Sequence, residues 1–507
     1  MSRFLRAIVG ISLASTVMLA PVGDLAAAPP ARRPAPEGPT IVRLAVDPAA
    51  EPRPPLNYTF LTPLSARKPG NAAPFYYRAI LAYTIYRAGA KNANWHESLD
   101  GRLDEWAHMP IDKLPRDEVR KVVNGFAANY DDLREAASRE RCDWDYQLQN
   151  VEGLKGLEFR LAEVQDSRGL ARFLAVKARL EIAEGRYADA IETMGVGYQF
   201  ARDLSTTPII IPSLVGIAIG GILDDQAHAF FAAPKSPNLY WAYTELPRPF
   251  IDMGPKVEFE LTLPTRMFPM LKGPEHAEHS PEQWADVVSQ AFFTLSQFDN
   301  SPAESPYGWE SRLAATGLAL RGYTQAKRDL IAAGYDAAKI EQMPVGQVIA
   351  VDEAYLCRYI AQEMRKWTLV PYAEGWRRMN EANRQLIRDH YLGPGLTSRE
   401  VLPINSLLLP ATAAAMDASI RRDIAMAADR VIEAIRMYAA QNGGKLPQSL
   451  SEITVVPVPV HPRFGTPFAY KVEGGTATLE VRRVTEPPEP AREGDYVFEI
   501  TVAHDRH

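Results

Sequence analysis

The sequence predicts a mainly α-helical protein, a stack of tetratricopeptide-like helical hairpins followed by a small C-terminal α+β domain. Three observations predict it. Apolar residues recur at spacings of three and four from about Pro74 to about Ala440, which puts them on single helix faces. Glu184-Gly185-Arg186 separates two such stripes, as the tight turn of a helical hairpin does. Beyond Gly443-Gly444 the period falls to two in Tyr496, Phe498, Ile500 and Val502, the alternation of a half-buried strand.

The chain opens on Arg3 and Arg6, an uncharged apolar run from Ala7 to Ala20, and the small residues Ala26-Ala27-Ala28. Basic, then apolar, then small is the order of a secretory signal peptide, expected over residues 1–27. Pro29 disfavours a cut after Ala28, so cleavage is expected after Ala27. The run falls short of the ~20 residues of a spanning helix, so no membrane span is expected after cleavage. An uncleaved anchor is the alternative. Residues 28–70 read as a Pro-rich linker, because Pro29, Pro30, Pro34, Pro36, Pro39, Pro48 and Pro52 leave no room for a helix.

Residues 71–400 read as the helical-hairpin body. Tyr76–Ala88 is apolar at most positions, Pro115–Leu133 opens with acidic residues in its first turn, and Leu133–Asn150 carries charges on one side. Leu170, Phe173, Val176, Leu180 and Ala183 form one stripe, and Tyr187, Ile191, Met194, Tyr198 and Ala201 its partner. Pro208–Leu223 is the most apolar interior stretch. It is broken by Pro212 and ends at Asp224-Asp225, so it reads as a buried central helix in which Gly216 and Gly220 permit close helix approach. Pro234–Asp252 holds a short capped helix, and Leu271–Gln283 a polar loop. Further helical units follow at Gly308–Gly334, Val345–Trp376 and Glu374–Asp389, stopped by Gly393-Pro394-Gly395.

Residues 401–507 read as the α+β domain. Ile420, Ile424, Ala427, Val431, Ile435 and Tyr438 stripe a long helix. A short helical turn at Pro447–Ile453 precedes strands at Phe468–Val472, Thr476–Val481 and around Tyr496–Val502, which would form an antiparallel sheet.

Composition bounds the function. With 46% apolar and 23% charged residues among 507, the chain can bury real cores. Net charge is -6 with signs interspersed, unlike the clustered basic surface of a nucleic-acid binder, so no nucleic acid is expected as partner. Cys142 and Cys357 are the two cysteines; in an oxidising compartment they would either pair or stay as separate buried thiols. No phosphate-binding, dinucleotide or nucleophile-elbow motif occurs, so no cofactor is expected.

ARLEIAEGRYADAI (Ala178–Ile191) resembles a tetratricopeptide-type hairpin. LEIAEGRYADAI (Leu180–Ile191), NLYWAYTELPRPFID (Asn238–Asp252) and the series from AIRMYAAQNGGKLPQSL (Ala434–Leu450) to Leu479 together resemble a family of exported planctomycete proteins without an assigned activity. That resemblance implies an architecture and no chemistry. The C-terminal unit also resembles the globular part of type II secretion pseudopilins, with their long helix, N-G-x-x-P phrase and Gly-rich hairpin. His461 stands where that family has Asp, which puts any metal or register role of the position in doubt.

Candidate chemistry is sparse. His276 and His279, beside Glu275, Glu278 and Glu282, have the one metal-like spacing, though Pro274 and Pro281 leave little helix for it and a solvated loop is the plainer reading. Asp224-Asp225 and Asp352-Glu353 each read either as paired catalytic acids or as a helix end facing water, the second being expected. Trp241, Trp367 and Trp376 would line a groove or, more simply, a core. Three roles stay open: a binding or scaffolding protein of the periplasm or cell envelope, with proteins or peptides as partners; an envelope hydrolase; and a component of a secretion or surface assembly. An extracellular location is equally open.

Overall fold

A computed structural model describes residues 38–91, 99–148, 162–297, 305–390, 402, 404, 410–483, 490–492 and 494–503. The expected signal peptide and the Gly393-Pro394-Gly395 break lie outside these residues. In chain order the elements are β1 (Thr40–Val46), β2 (Lys68–Asn71), α1 (Ala73–Lys91), α2 (Leu99–His108), α3 (Arg116–Gly125), α4 (Ala127–Ala137), β3 (Arg139–Arg141), α5 (Ala162–Ala183), α6 (Tyr187–Leu204), α7 (Ile210–Phe231) and α8 (Tyr240–Glu245). There follow α9 (Gly254–Glu260), α10 (Leu263–Met267), α11 (Pro281–Ser296), α12 (Trp309–Ala332), α13 (Ala337–Gln342), α14 (Val345–Arg365), α15 (Tyr372–His390) and α16 (Pro410–Gln441), then β4 (Ala469–Glu473), β5 (Thr476–Val481) and β6 (Tyr496–Val502). The protein is mainly α-helical with a small α+β part, as the periodicities predict.

The chain divides into two compact units. Among the described residues, the larger holds those from 38 to 145, from 162 to 253 and from 417 to 503, the smaller those from 254 to 416 together with 146–148. This differs from the expected boundaries at 70 and 400, and β1 accounts for the N-terminal part of the difference. TIVRLAV (Thr40–Val46) lies between Pro39 and Pro48 and contains no proline, so its backbone N–H groups can join a ladder. It pairs in parallel with β6, Thr40 opposite Tyr496 and Val46 opposite Val502. The sheet order is β1-β6-β5-β4, with β6, β5 and β4 antiparallel. Residues 40–46 are therefore part of the folded sheet, not of a linker.

In the larger unit α5 and α6 form the expected hairpin, and Gly185 makes its turn at φ +72°, a conformation that favours glycine. α5, α6 and α7 pack on one another and bury Leu170, Phe173, Leu180, Met194, Tyr198, Phe200 and Leu223. α7 is long and apolar enough to cross a membrane, but most of it is buried here. A Cβ at Gly216 would run into the carbonyl oxygen of Ala201, so the close approach of α6 and α7 requires glycine there. Leu133–Asn150 is not one helix: α4 stops at Ala137, and β3 pairs in parallel with β2.

The smaller unit has its own cores. One joins Met267, Phe268, Leu271, Trp284, Leu295 and Ala354; another joins Ala326, Leu330, Ile340, Val348 and Val351. α11 begins on a complete capping box, Ser280 with Gln283, which satisfies two orphan donors of its first turn.

Candidate functional site

The densest chemistry is a buried polar seam between α7 and α16 in the larger unit. The sequence shows α16 as an apolar stripe, Ile420 to Tyr438, with charged residues between its members. The fold buries four of these, Arg422, Asp429, Glu433 and Arg436, alongside that stripe. Buried charge is costly unless paired and hydrogen-bonded, so each member must find a partner. Asp224 accepts both Arg422 guanidinium Nη groups and, at 2.8 Å, the Tyr198 hydroxyl, which lies 3.3 Å from that of Tyr243. His228 Nε2 lies 2.9 Å from Asp429 Oδ1. Burial alone would push the His228 imidazolium down, but Asp429 raises it above its ordinary value.

Arg436 is the most committed member. Its Nη1 donates to both Glu433 oxygens at 2.9 and 3.0 Å, its Nη2 to Ser236 Oγ at 2.7 Å, and its Nε to the Asp47 carbonyl at 2.7 Å. It thereby ties the chain just after β1 to α16. Burial pushes Glu433 up to about 7 against the pull of Arg436. Burial also raises Asp423 to about 6, although the Phe250 N–H donates to it at 2.9 Å. Asp429 Oδ2 and the Nε atoms of Arg422 and Arg483 are buried without a partner.

Asp224 and Asp225 are split by the fold. Asp224 is buried and held by Arg422, not facing water as expected. Asp225 is exposed, 3.7 Å from His108. Asp352 and Glu353 are split as well. Burial and Asp329 push Asp352 up to about 7, while Glu353 is buried and accepts the Leu402 N–H at 2.8 Å.

His276 and His279 are both exposed; His279 packs edge-on to Trp284, and Glu275 accepts Arg358 at 2.8 Å. Among the described residues no group of three His, Cys, Asp or Glu is placed to hold a metal ion. Cys142 and Cys357 are buried thiols, one in each unit, with no disulfide between them. Trp241, Trp367 and Trp376 are half-buried, and Trp241 donates to Glu51 at 2.7 Å.

Compared with protein-family models, curated proteins and solved structures, the chain matches none.

His461, flagged for its departure from the pseudopilin phrase, has both ring nitrogens in use. Nε2 lies 2.9 Å from the Arg482 carbonyl, so it donates, and Nδ1 accepts the Arg463 N–H at 3.1 Å. Burial pushes its imidazolium down to about 4, so a neutral ring organises this loop. The seam on α16 was missed because a charged residue at helical spacing reads as solvated. The one available signal was that Arg422, Asp429 and Arg436 recur at spacings of seven, which returns them to one face.

Larger apolar groups are exposed elsewhere. On α1, Tyr77, Leu81 and Ile85 follow one another at spacings of four and all are exposed.

Proposed function

We propose that the protein is an exported binding or scaffolding protein of the cell envelope, which meets a protein or peptide partner on a helical surface. The order of residues 1–27 supports export. The observation that carries the binding reading is the α1 stripe of Tyr77, Leu81 and Ile85, apolar and exposed on one helix face. The α5–α6 hairpin does not supply that surface, because both of its helices are largely buried. The polar seam serves cohesion: Asp224, Asp429 and Glu433 are each held by an arginine or histidine. No observation favours the hydrolase reading, whose nearest acid pair is split.

The test is site-specific photocrosslinking in the native envelope, with the photoreactive residue at Leu81 and, as control, at exposed Asp131. One reproducible protein adduct at Leu81 and none at Asp131 supports the reading. No adduct, or the same adducts at both sites, sinks it.

A further inference from the structure

The larger unit holds a guanidinium that no acid answers. Helix α16 carries Arg421, Arg422, Arg430 and Arg436. Arg421 pairs with Asp417 at 3.0 Å, Arg422 with Asp224, and Arg436 with Glu433 at 2.9 Å. Arg430 is half-buried and bonds only neutral oxygens. Its Nε donates to Thr244 Oγ1 at 3.0 Å and its Nη2 to the Tyr240 hydroxyl at 3.3 Å. Its central carbon lies 5.3 Å from the centre of the Tyr240 ring. Among the described residues Nη1 has no hydrogen-bond partner and the side chain no ion pair. Burial pushes the guanidinium down from its ordinary value, the charge of Arg248 adds to this, and no carboxylate is among the causes.

The backbone brings Arg248 to the same place. Tyr240 and Thr244 of α8 meet Arg430, and a little further on the Phe250 N–H donates to Asp423 at 2.9 Å. Asp423 and Arg430 share one face of α16, two turns or about 10 Å apart. The chain from Thr244 to Phe250 is therefore fixed along that face at both ends, and Arg248 stands on it, exposed. Asp423 feels the charge of Arg248 but makes no ion pair with it among the described residues, and burial holds its carboxyl at about 6. Two like charges, one of them half out of water, are unfavourable unless an anion joins them. A guanidinium held by a ring face and by neutral acceptors along one edge is also pre-organised. Its remaining N–H groups suit an oxyanion. The seam arginines are the contrast, since the forks of Arg422 and Arg436 are filled by Asp224 and Glu433.

We infer that Arg430 and Arg248 form a binding site for a compact oxyanion, the phosphate or carboxylate group of a small solute, with Arg430 as the oriented fork and Arg248 as the exposed second charge. This goes beyond the protein- or peptide-binding role above and does not depend on it: the α1 stripe is built from other residues, and an empty crosslink at Leu81 leaves the oxyanion site standing.

The experiment is isothermal titration calorimetry on the chain from Ala28, which retains every described residue. Inorganic phosphate and succinate are titrated separately, in chloride at one fixed ionic strength. Saturable binding of at least one probe is expected; phosphate alone assigns a phosphate ligand, and succinate alone a carboxylate ligand. Arg430→Met keeps an apolar stem beside Tyr240 and removes the charge. It should weaken binding at least about tenfold, the scale of one charge-assisted hydrogen bond. Arg248→Gln should weaken it severalfold. Neither substitution takes an ion-pair partner from a described carboxylate, so both variants should keep the parent's urea midpoint. If Arg430→Met does not, Arg248→Gln alone is read, because that side chain is exposed. No saturable binding of either probe overturns the proposal. So does binding unchanged in a variant that folds, which marks an adventitious ion only.

Discussion

At the scale of single residues, two glycines of α7 make opposite predictions. A Cβ at Gly216 would meet the Ala201 carbonyl and the Ser205 side chain, so Gly216→Ala must push α6 and α7 apart. The expected cost is about 1–3 kcal/mol in urea unfolding. Gly221 has open space around it, and Gly221→Ala should stabilise by up to about 1 kcal/mol through helix propensity. Equal effects at the two sites would refute the close-approach account. Arg422→Met tests the seam. It leaves Asp224 buried with only the Tyr198 hydroxyl, and removing one partner of a buried pair costs roughly 3–5 kcal/mol. The variant should also become pH-sensitive. An isolated buried carboxyl holds its proton above the unfolded value of ~3.9, so the folded variant binds more protons than its unfolded chain. Its deficit relative to the parent should shrink as pH falls from 8 to 5. A deficit constant across that range would mean that Asp224 is not left as an uncompensated charge.

At the scale of elements, β1 is the piece that closes the larger unit. Leu44 and Val46 are buried, the Ala503 N–H donates to the Val46 carbonyl at 2.8 Å, and the Asp47 N–H donates to the Phe231 carbonyl at 3.0 Å. A chain beginning at Asp47 loses those two side chains from the core, about 3–6 kcal/mol, and exposes the β6 edge. It should unfold at lower urea and aggregate, whereas a chain beginning at Gly38 should match the parent; equal stability of the two would show β1 to be dispensable. β1 also marks the limit of what the sequence makes legible. Helices α5, α6, α7 and α16 and strands β5 and β6 were readable because their signals are local: a stripe of period 3.6, Gly185 at a turn, strict alternation near the C-terminus. Strand β1 shows alternation too, in Val42, Leu44 and Val46, but its partner lies more than 450 positions away, and proline on both sides dominated the reading. The seam was hidden for a related reason. Arg436 reads as solvent-facing until Asp47, Ser236 and Glu433, distant in sequence or on its own helix, are known to receive it.

At the scale of the whole molecule, the two units divide the titrating groups, and their responses to pH have a definable sign. In the larger unit burial raises Asp203 and Asp423 to about 6 and Glu433 to about 7, each above its unfolded value. The folded state then binds more protons than the unfolded state between about pH 4 and those values, so stability falls as pH rises through that window. His228 is raised, and its contribution is present below the unfolded ~6.5 and lost as pH rises through its folded value. His461, lowered to about 4, acts the other way: its unfolded form takes up a proton first, so stability falls as pH drops from ~6.5 to about 4. Burial raises Glu181 and Asp225 as well, and the lowered Glu135 and Glu184 lose their contribution only below about pH 5, so the larger unit should be more stable at pH 5.5 than at pH 8. The smaller unit holds the cleanest single test. Asp352, raised to about 7 by burial and by Asp329, has neither an arginine nor a histidine among the causes of its shift. The cost of its charged form therefore builds between about pH 4 and about pH 7, and Asp352→Asn, which keeps the shape and removes the charge, should raise the unfolding free energy at pH 8 by roughly 1–3 kcal/mol and change little at pH 4. Hydrogen exchange at α14 amides, read in parent and variant at the two pH values, separates this unit from the rest of the chain. Slower exchange in the variant at pH 8 alone is the expected result; equal slowing at both values would mean that shape or hydrogen bonding, not charge, sets the difference.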